Sequence, residues 1–271
     1  MSLNLSGISM AAHNQPLMKV ISLQSGSNGN CIYVEAEGVK LLFDAGISGI
    51  RAQERLAAHG RDITSVDAVL ISHDHRDHTS CMGIYQRKFG LPLCVTRDTL
   101  ETASAKIRVG EITEVQFFAA GDALRFDGVS VETIPTPHDG VDGVAFVVDD
   151  GQRRLGILTD LGHTFRGLKS ILCSLDAVVL ESNYDPKMLA DGSYPPFLKE
   201  RISGPYGHLS NQEAAELLAA AGGRLKWACL AHLSEENNTP RCALNAHRKA
   251  LGKEFPLHVA TRYEATGVLE V

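Results

Sequence analysis

Residues 73–78 read His73-Asp74-His75-Arg76-Asp77-His78, which packs three imidazoles and acidic side chains into six positions directly after the apolar run from Val66 to Ile71. Imidazole nitrogen together with carboxylate oxygen suits a borderline divalent cation such as zinc, with manganese as the other candidate. So many donors exceed what one ion takes from a single segment, so two ions are expected. Further donors recur at the carboxyl ends of strand-like runs: His138 after Ser130–Pro135, Asp160 after Arg154–Thr159, and His232 after Lys226–Ala231. Strand carboxyl ends in layered sheets share one rim where ligands bind, so residues distant in sequence can converge there. Any one of these three alone is more often a satisfied core or surface residue. Their recurrence beside the 73–78 cluster is what argues for metal.

The elements that must position these donors are legible as periodic patterns. Strand-like runs rich in apolar and β-branched residues fall at about 18–24, 30–36, 39–44, 66–71, 91–95, 129–135, 143–149, 153–159, 176–181, 226–231 and 257–260. Ser48 caps a helical pattern that stops at Gly60, and Ser210 caps another that runs to Gly222. Further helices are expected near 79–89, 97–105, 164–171 and 239–250. Strands with early hairpins dominate the first half, and strands alternate with helices in the second. That order predicts an α/β fold of layered mixed sheets flanked by helices. A single domain over 17–271 is expected, preceded by a flexible extension at 1–16. The stretch from Tyr184 to Gly207, with Pro186, Pro195, Pro196 and Pro205, breaks the rhythm and reads as a loop or lid.

At 271 residues and 44% apolar content the chain can bury a substantial core, and its net charge of -6 argues against indiscriminate coating of nucleic acid. Six cysteines without a CxxC pair read as free thiols, some in apolar runs, which points to a cytoplasmic protein. No leader and no run of membrane-spanning length is apparent, and nothing calls for an organic cofactor. Oligomeric state is not legible.

The HxHxDH run at His73–His78, followed by His138, Asp160 and His232, resembles the metallo-β-lactamase superfamily, in particular its glyoxalase and nuclease branches. The resemblance implies an αβ/βα four-layer sandwich. It also implies one metal held by His73, His75 and His138, a second by Asp77, His78 and His232, and Asp160 as the bridging carboxylate. Leu42-Phe43-Asp44-Ala45-Gly46 resembles the superfamily's Asp-x-Gly hairpin, in which Asp44 supports the site without binding metal. Ser22–Asn30, Thr159–Gly162, Leu180-Glu181-Ser182-Asn183, Gly207–Asn211 and Ala231–Asn238 resemble the YycJ/WalJ-type family of single-domain exonucleases, related to ribonuclease Z and the β-CASP nucleases. There is no room for the β-CASP insertion between Glu181 and His208, nor an arm like that of ribonuclease Z.

The implied activity is phosphodiester hydrolysis on DNA. Two cations about 3.5–4 Å apart can share a hydroxide available near neutral pH, so no serine or cysteine nucleophile is needed. His208, beside the helix opened by Ser210, resembles the phosphate-touching histidine of those nucleases, and Glu181 is expected to orient its ring; with Asp77 these are the candidate catalytic residues. Ser182, Asn183, Ser27 and Asn28 are candidate substrate contacts, the last two on a Gly- and Asn-rich turn that could equally be plain turn chemistry. Asp139 and His163 adjoin donors and are expected to support them. Lys187, Lys199 and Arg201 decorate the Pro-rich segment, as a solvated face or as a track for a polyanion. A small-molecule hydrolase on the same ligands, a cyclic phosphodiesterase or glyoxalase-like thioesterase, is the alternative reading. A non-catalytic metal-binding interaction protein is the third.

Overall fold

The structure is a computed structural model that describes residues 17–271. The extension expected at 1–16 lies outside the described residues. In chain order the strands are β1 (Lys19–Gln24), β2 (Cys31–Ala36), β3 (Val39–Phe43), β4 (Ala68–Leu70), β5 (Leu93–Val95), β6 (Val115–Phe117), β7 (Ala123–Phe126), β8 (Val129–Pro135), β9 (Val144–Asp149), β10 (Arg154–Leu158), β11 (Ala177–Glu181), β12 (Trp227–Ala231), β13 (Leu257–Val259) and β14 (Leu269–Glu270). The helices are α1 (Gly49–Ala58), α2 (Arg76–Thr79), α3 (Met82–Phe89), α4 (Arg97–Lys106), α5 (Leu168–Ser174), α6 (Pro186–Asp191), α7 (Pro196–Ser203), α8 (Asn211–Ala220) and α9 (Pro240–Leu251).

Two mixed sheets face each other, ordered β14-β1-β2-β3-β4-β5-β6 and β13-β12-β11-β10-β9-β8-β7. Each is antiparallel through its hairpins and parallel over four neighbouring strands, β3 to β6 in one and β10 to β13 in the other. Central strands such as β11 are buried along their whole length, because alternate residues serve two different cores. Ala177 and Val179 point between the sheets with Phe43 and Phe146, whereas Val178 and Leu180 pack outward with Leu172, Leu218 and Ala243. On the other sheet Leu42 and Val69 pack outward against Leu56, Tyr85 and Ala103. The result is the expected four-layer arrangement of helix, sheet, sheet and helix, with α1, α3 and α4 on one side and α5, α8 and α9 on the other. Among the described residues no helix is long and apolar enough to cross a membrane.

Three differences from the sequence reading have physical causes. β6 and β7 are short edge strands with largely solvent-facing side chains, so they lack the apolar signature of a strand and exist through pairing. The segment from Tyr184 to Gly207 holds two short helices, because Pro186 and Pro196 occupy first-turn positions where a fixed φ and a missing N–H cost nothing. The helix expected at 164–171 lies later, at Leu168–Ser174, after a left-handed Gly167.

Candidate metal centre

The strands β3, β4, β8, β10, β11 and β12 all end at one rim, and each delivers a polar side chain there just beyond or at its last residue. Asp44, Asp160 and His232 do so with positive φ of 64°, 54° and 55°. This conformation is uncommon outside glycine, though Asp and His tolerate it better than most, and it costs on the order of 1–3 kcal/mol per residue. It turns the chain sharply at the strand end so that the side chain faces the rim. Gly46 completes the Asp44 turn, since a Cβ there would stand 1.6 Å from the Asp77 carbonyl oxygen. The turn can therefore hydrogen-bond directly to the donor segment, with Asn30 N–H donating to the Asp77 carbonyl at 2.8 Å and Ala45 N–H to that of His78 at 2.7 Å.

The donors converge in sets whose ligand atoms lie within 4.8 Å of one another: His73, His75 and His138; Asp77, His78 and His232; His73, His78 and Asp160; and Asp160, Glu181, His208 and His232. Asp160 touches both sides, with Oδ1 3.6 Å from His138 Nε2 and 3.5 Å from His232 Nδ1, and Oδ2 3.3 Å from His78 Nε2.

Outer partners fix the ring orientations. His78 Nδ1 donates to Asp44 Oδ2 at 2.7 Å, and His138 Nδ1 donates to the Gly207 carbonyl at 2.8 Å. His73 Nδ1 donates at 2.9 Å to Ser72 Oγ, whose own proton goes to Asp44 Oδ1 at 2.8 Å. His75 Nε2 faces Asp139 Oδ1 at 3.4 Å, while Asp139 Oδ2 accepts from Arg201 Nε at 2.7 Å. His75 Nδ1 and His138 Nε2 face each other across 3.3 Å, a gap that a shared proton or a cation can bridge. His73 Nε2 and Asp160 Oδ2 are buried without a hydrogen bond.

Burial and the neighbouring imidazoles of His78 and His75 hold His73 well below the usual histidine value. Burial opposes a charge on His232, but Asp160, Asp77 and Glu181 outweigh it and push that ring up to about 10. Burial likewise opposes ionisation of Asp77, yet His78 and His232 hold its carboxyl well below the ordinary range. Buried donor-set atoms without partners and carboxylates that pull protons onto imidazoles both call for positive charge, and the donor set fits divalent cations.

Beside this cluster His208 Nδ1 meets Glu181 Oε1 at 2.6 Å. Glu181 is fully buried, and burial raises its pKa, but the His208 and His232 rings hold the carboxyl far below its ordinary value. A cavity of about 300 Å³ opens onto the donors and is lined by Asp77, Asp160, His208 and His232 with Ser27, Arg76, Asn183, Tyr194 and Arg201.

Several candidates lie elsewhere. Ser182 is fully buried, its hydroxyl donating to Asn211 Oδ1 at 2.6 Å, and it does not line the cavity. Asn28 turns away to donate to the Arg262 carbonyl, and it is Asn30 that reaches the cluster, 3.0 Å from His78 Nε2. His163 bonds to the Pro205 carbonyl, which ties the Pro-rich segment to β10's end. Lys199 Nζ donates to the Ala190 carbonyl and so closes its own segment. Ser72, Arg76 and Tyr194 were not singled out; only Arg76, lying between two donors, carried a positional hint.

A model of the beta-lactamase superfamily domain matches residues 40–233. Exodeoxyribonuclease WalJ of Streptococcus pneumoniae serotype 2 (strain D39) is 35% identical over 261 residues, covering 92% of this chain and 96% of that protein. Exodeoxyribonuclease YycJ of Bacillus anthracis is 33% identical over 246 residues, covering 87% of this chain and 92% of that protein. Among solved structures, the metallo-beta-lactamase fold protein YhfI from Bacillus subtilis covers 94% of this chain and 100% of its own at TM-score 0.72 and 17% identity, a likeness of fold.

Proposed function

The chain belongs to the beta-lactamase superfamily and, within it, to the WalJ/YycJ family, and on that premise we propose that it is a metal-dependent DNA exonuclease with a two-cation site. His73, His75 and His138 hold one cation, Asp77, His78 and His232 the other, and Asp160 serves both. The observation that carries this reading is Asp160, whose two oxygens reach nitrogens of both donor sets. When bound, the cations, zinc or manganese, supply an activated water and neutralise charge building on the phosphoryl group.

The protein's own residues do the rest. Asp44 and Ser72 lock the His78 and His73 rings with Nε2 facing inward, so the rings need not turn on loading. His208, its Nδ1 committed to Glu181, has Nε2 left to contact the phosphate or protonate the leaving oxygen. Arg76 and Arg201 line the cavity, Arg201 already paired with Asp139 and Arg76 the better placed to meet a polyanion. A cavity of about 300 Å³, at the small end of the roughly 300–1,000 Å³ of ligand sites, has room for one phosphodiester unit. Both relatives carry the name exodeoxyribonuclease, which supports DNA as the substrate.

The test is incubation of metal-loaded protein with end-labelled linear DNA and with a closed single-stranded circle. Mononucleotides are expected from the linear strand and none from the circle, with activity lost in a chelator. A nicked circle would sink the exonuclease assignment. Turnover of a chromogenic phosphodiester or a thioester with no cleavage of DNA would move the site to the small-molecule reading.

A further inference from the structure

A second cavity of about 260 Å³ adjoins the one lined by the candidate donors, and Ser234 stands in the wall of both. Two segments build the partition. Leu233 and Ser234 continue directly from His232, and the loop carrying Arg262 and Tyr263 is strapped to the turn that carries Ser27 into the metal cavity. Ser25 N–H donates to the Thr261 carbonyl at 3.0 Å, Asn28 donates to the Arg262 carbonyl at 3.4 Å, and Arg55 holds the Tyr263 carbonyl. The second cavity is therefore fixed relative to the metal donors by backbone on both sides.

Its chemistry differs from that of its neighbour. Leu233, Pro240 and Ala260 give it an apolar floor and side, and Tyr263 stands at its edge, 65% exposed. The Arg262 guanidinium donates to the Leu233 carbonyl at 3.2 Å and to Glu235 at 3.1 Å, its Nε is buried without a partner, and Glu235 offsets its charge, so it offers a phosphate little net charge. The Tyr263 hydroxyl donates to Glu235 at 2.6 Å, a contact at the surface that leaves the ring face open. An apolar slot with an exposed aromatic at its edge suits a flat heterocycle, and base–aromatic stacking tolerates any sequence because every base has a π-face.

We propose that this cavity is a nucleobase subsite, in which a base of the DNA strand next to the scissile phosphate stacks on Tyr263. The proposal rests on the nuclease reading of the adjoining site. Its size, below the range of roughly 300–1,000 Å³ for drug-sized ligands, suits one ring system. A base held there would draw the neighbouring phosphate across Ser234 toward the metal donors.

The experiment compares wild type, Tyr263→Ala and Tyr263→Phe, all metal-loaded, on linear DNA and on methyl p-nitrophenyl phosphate, a small ester that carries no nucleobase. Wild type is measured first. If it turns over the small ester and leaves DNA intact, the nuclease reading falls and the subsite falls with it. If it cuts DNA, Tyr263→Ala should lower the ratio of DNA to small-ester efficiency by roughly 5- to 100-fold, mainly through KM, as expected for loss of one stacked base. Tyr263→Phe keeps the ring, loses only the bond to Glu235, and should stay near wild type. A phosphorothioate-protected oligonucleotide with 2-aminopurine at successive positions from the end adds a direct signature. Fluorescence should be quenched at one position by wild type and by Tyr263→Phe, and not by Tyr263→Ala. An unchanged ratio in Tyr263→Ala, or Tyr263→Phe failing as badly as Tyr263→Ala, would overturn the stacking role.

Discussion

Glu181 Oε1 lies 2.6 Å from His208 Nδ1, while Glu181 Oε2 accepts the backbone N–H groups of Leu161 at 3.1 Å and Leu209 at 3.2 Å. One buried carboxylate thus ties the end of β10 to the turn before α8 and fixes an imidazole between them. The capping box of Ser210 and Glu213 anchors the same turn from its other side.

From that pairing, His208→Ala should lower DNA turnover by about two to four powers of ten, the range for losing an acid catalyst or a transition-state contact. Metal content should not change. Glu181→Gln keeps acceptors for the two N–H groups but weakens the hold on the ring, and it should act in the same direction. The double variant should lose less than the product of the single losses, because the two residues act as a unit. Full activity of His208→Ala on DNA, measured at saturating metal, would remove His208 from the mechanism.

Asp44 is expected to matter for metal without touching it. Asn tolerates the left-handed backbone at this position and can still accept from Ser72, so Asp44→Asn should fold. It loses the charge that orients His78, and metal affinity should drop by about 10- to 100-fold, as is usual when such outer partners are changed. Titration against a chromophoric chelator reads this directly. Wild-type affinity in the variant would show that the Asp44 to His78 bond is only structural.

Metal removal should destabilise the fold by an amount that depends on pH. His232, raised to about 10, and His78, also raised, stabilise the metal-free protein fully below their unfolded value of about 6.5 and lose that contribution as pH climbs through the folded value. The depressed carboxylates Asp77 and Glu181 stay ionised in both states above pH 6 and add no slope there. Cations compete with those imidazole protons, so their affinity rises with pH. The gap in melting temperature between loaded and stripped protein should therefore widen from pH 7 to pH 8.5. A constant or shrinking gap in paired calorimetry would contradict the placement of His78 and His232 among the donors.

How far the site was legible depended on what each residue's type alone can say. The 73–78 cluster, His138, Asp160 and His232 were readable because imidazoles and carboxylates at strand ends are unusual and repeat. Ser72 was not, since a serine hydroxyl next to a strand is commonplace and only the turn at Asp44 makes it a relay. The turn at 25–30 was located, but which of its asparagines faces inward depends on positive φ at Gly26 and Gly29, which no local pattern encodes. The same holds for the helices at Pro186 and Pro196, where proline as a breaker and proline as a first-turn residue look alike in sequence. Core strands were legible from apolar runs. Edge strands β6, β7 and β14, stabilised by their neighbours, were not.

Lys199, which the sequence offers as a phosphate contact, and Arg76, which it does not single out, differ in what their charged groups meet. The Lys199 ammonium group is occupied with the Ala190 carbonyl and does not line the cavity at the candidate donors. Arg76 is exposed, lines that cavity, and its guanidinium has no ion pair or hydrogen bond among the described residues. It stands between His75 and Asp77 at the start of α2, so a phosphate meeting it is held one residue from the donors on either side. Arg76→Gln should weaken DNA binding and reduce the slope of log affinity against log salt by about one, the signature of one lost phosphate contact. Lys199→Gln should leave that slope as it is. Metal content must be equal in all three proteins for the comparison to stand, which is why the uncharged, similarly long glutamine is preferred to alanine beside two ligands. Should the slope fall for Lys199→Gln and not for Arg76→Gln, the strand enters from the side of α7, and the approach inferred from the free guanidinium is wrong.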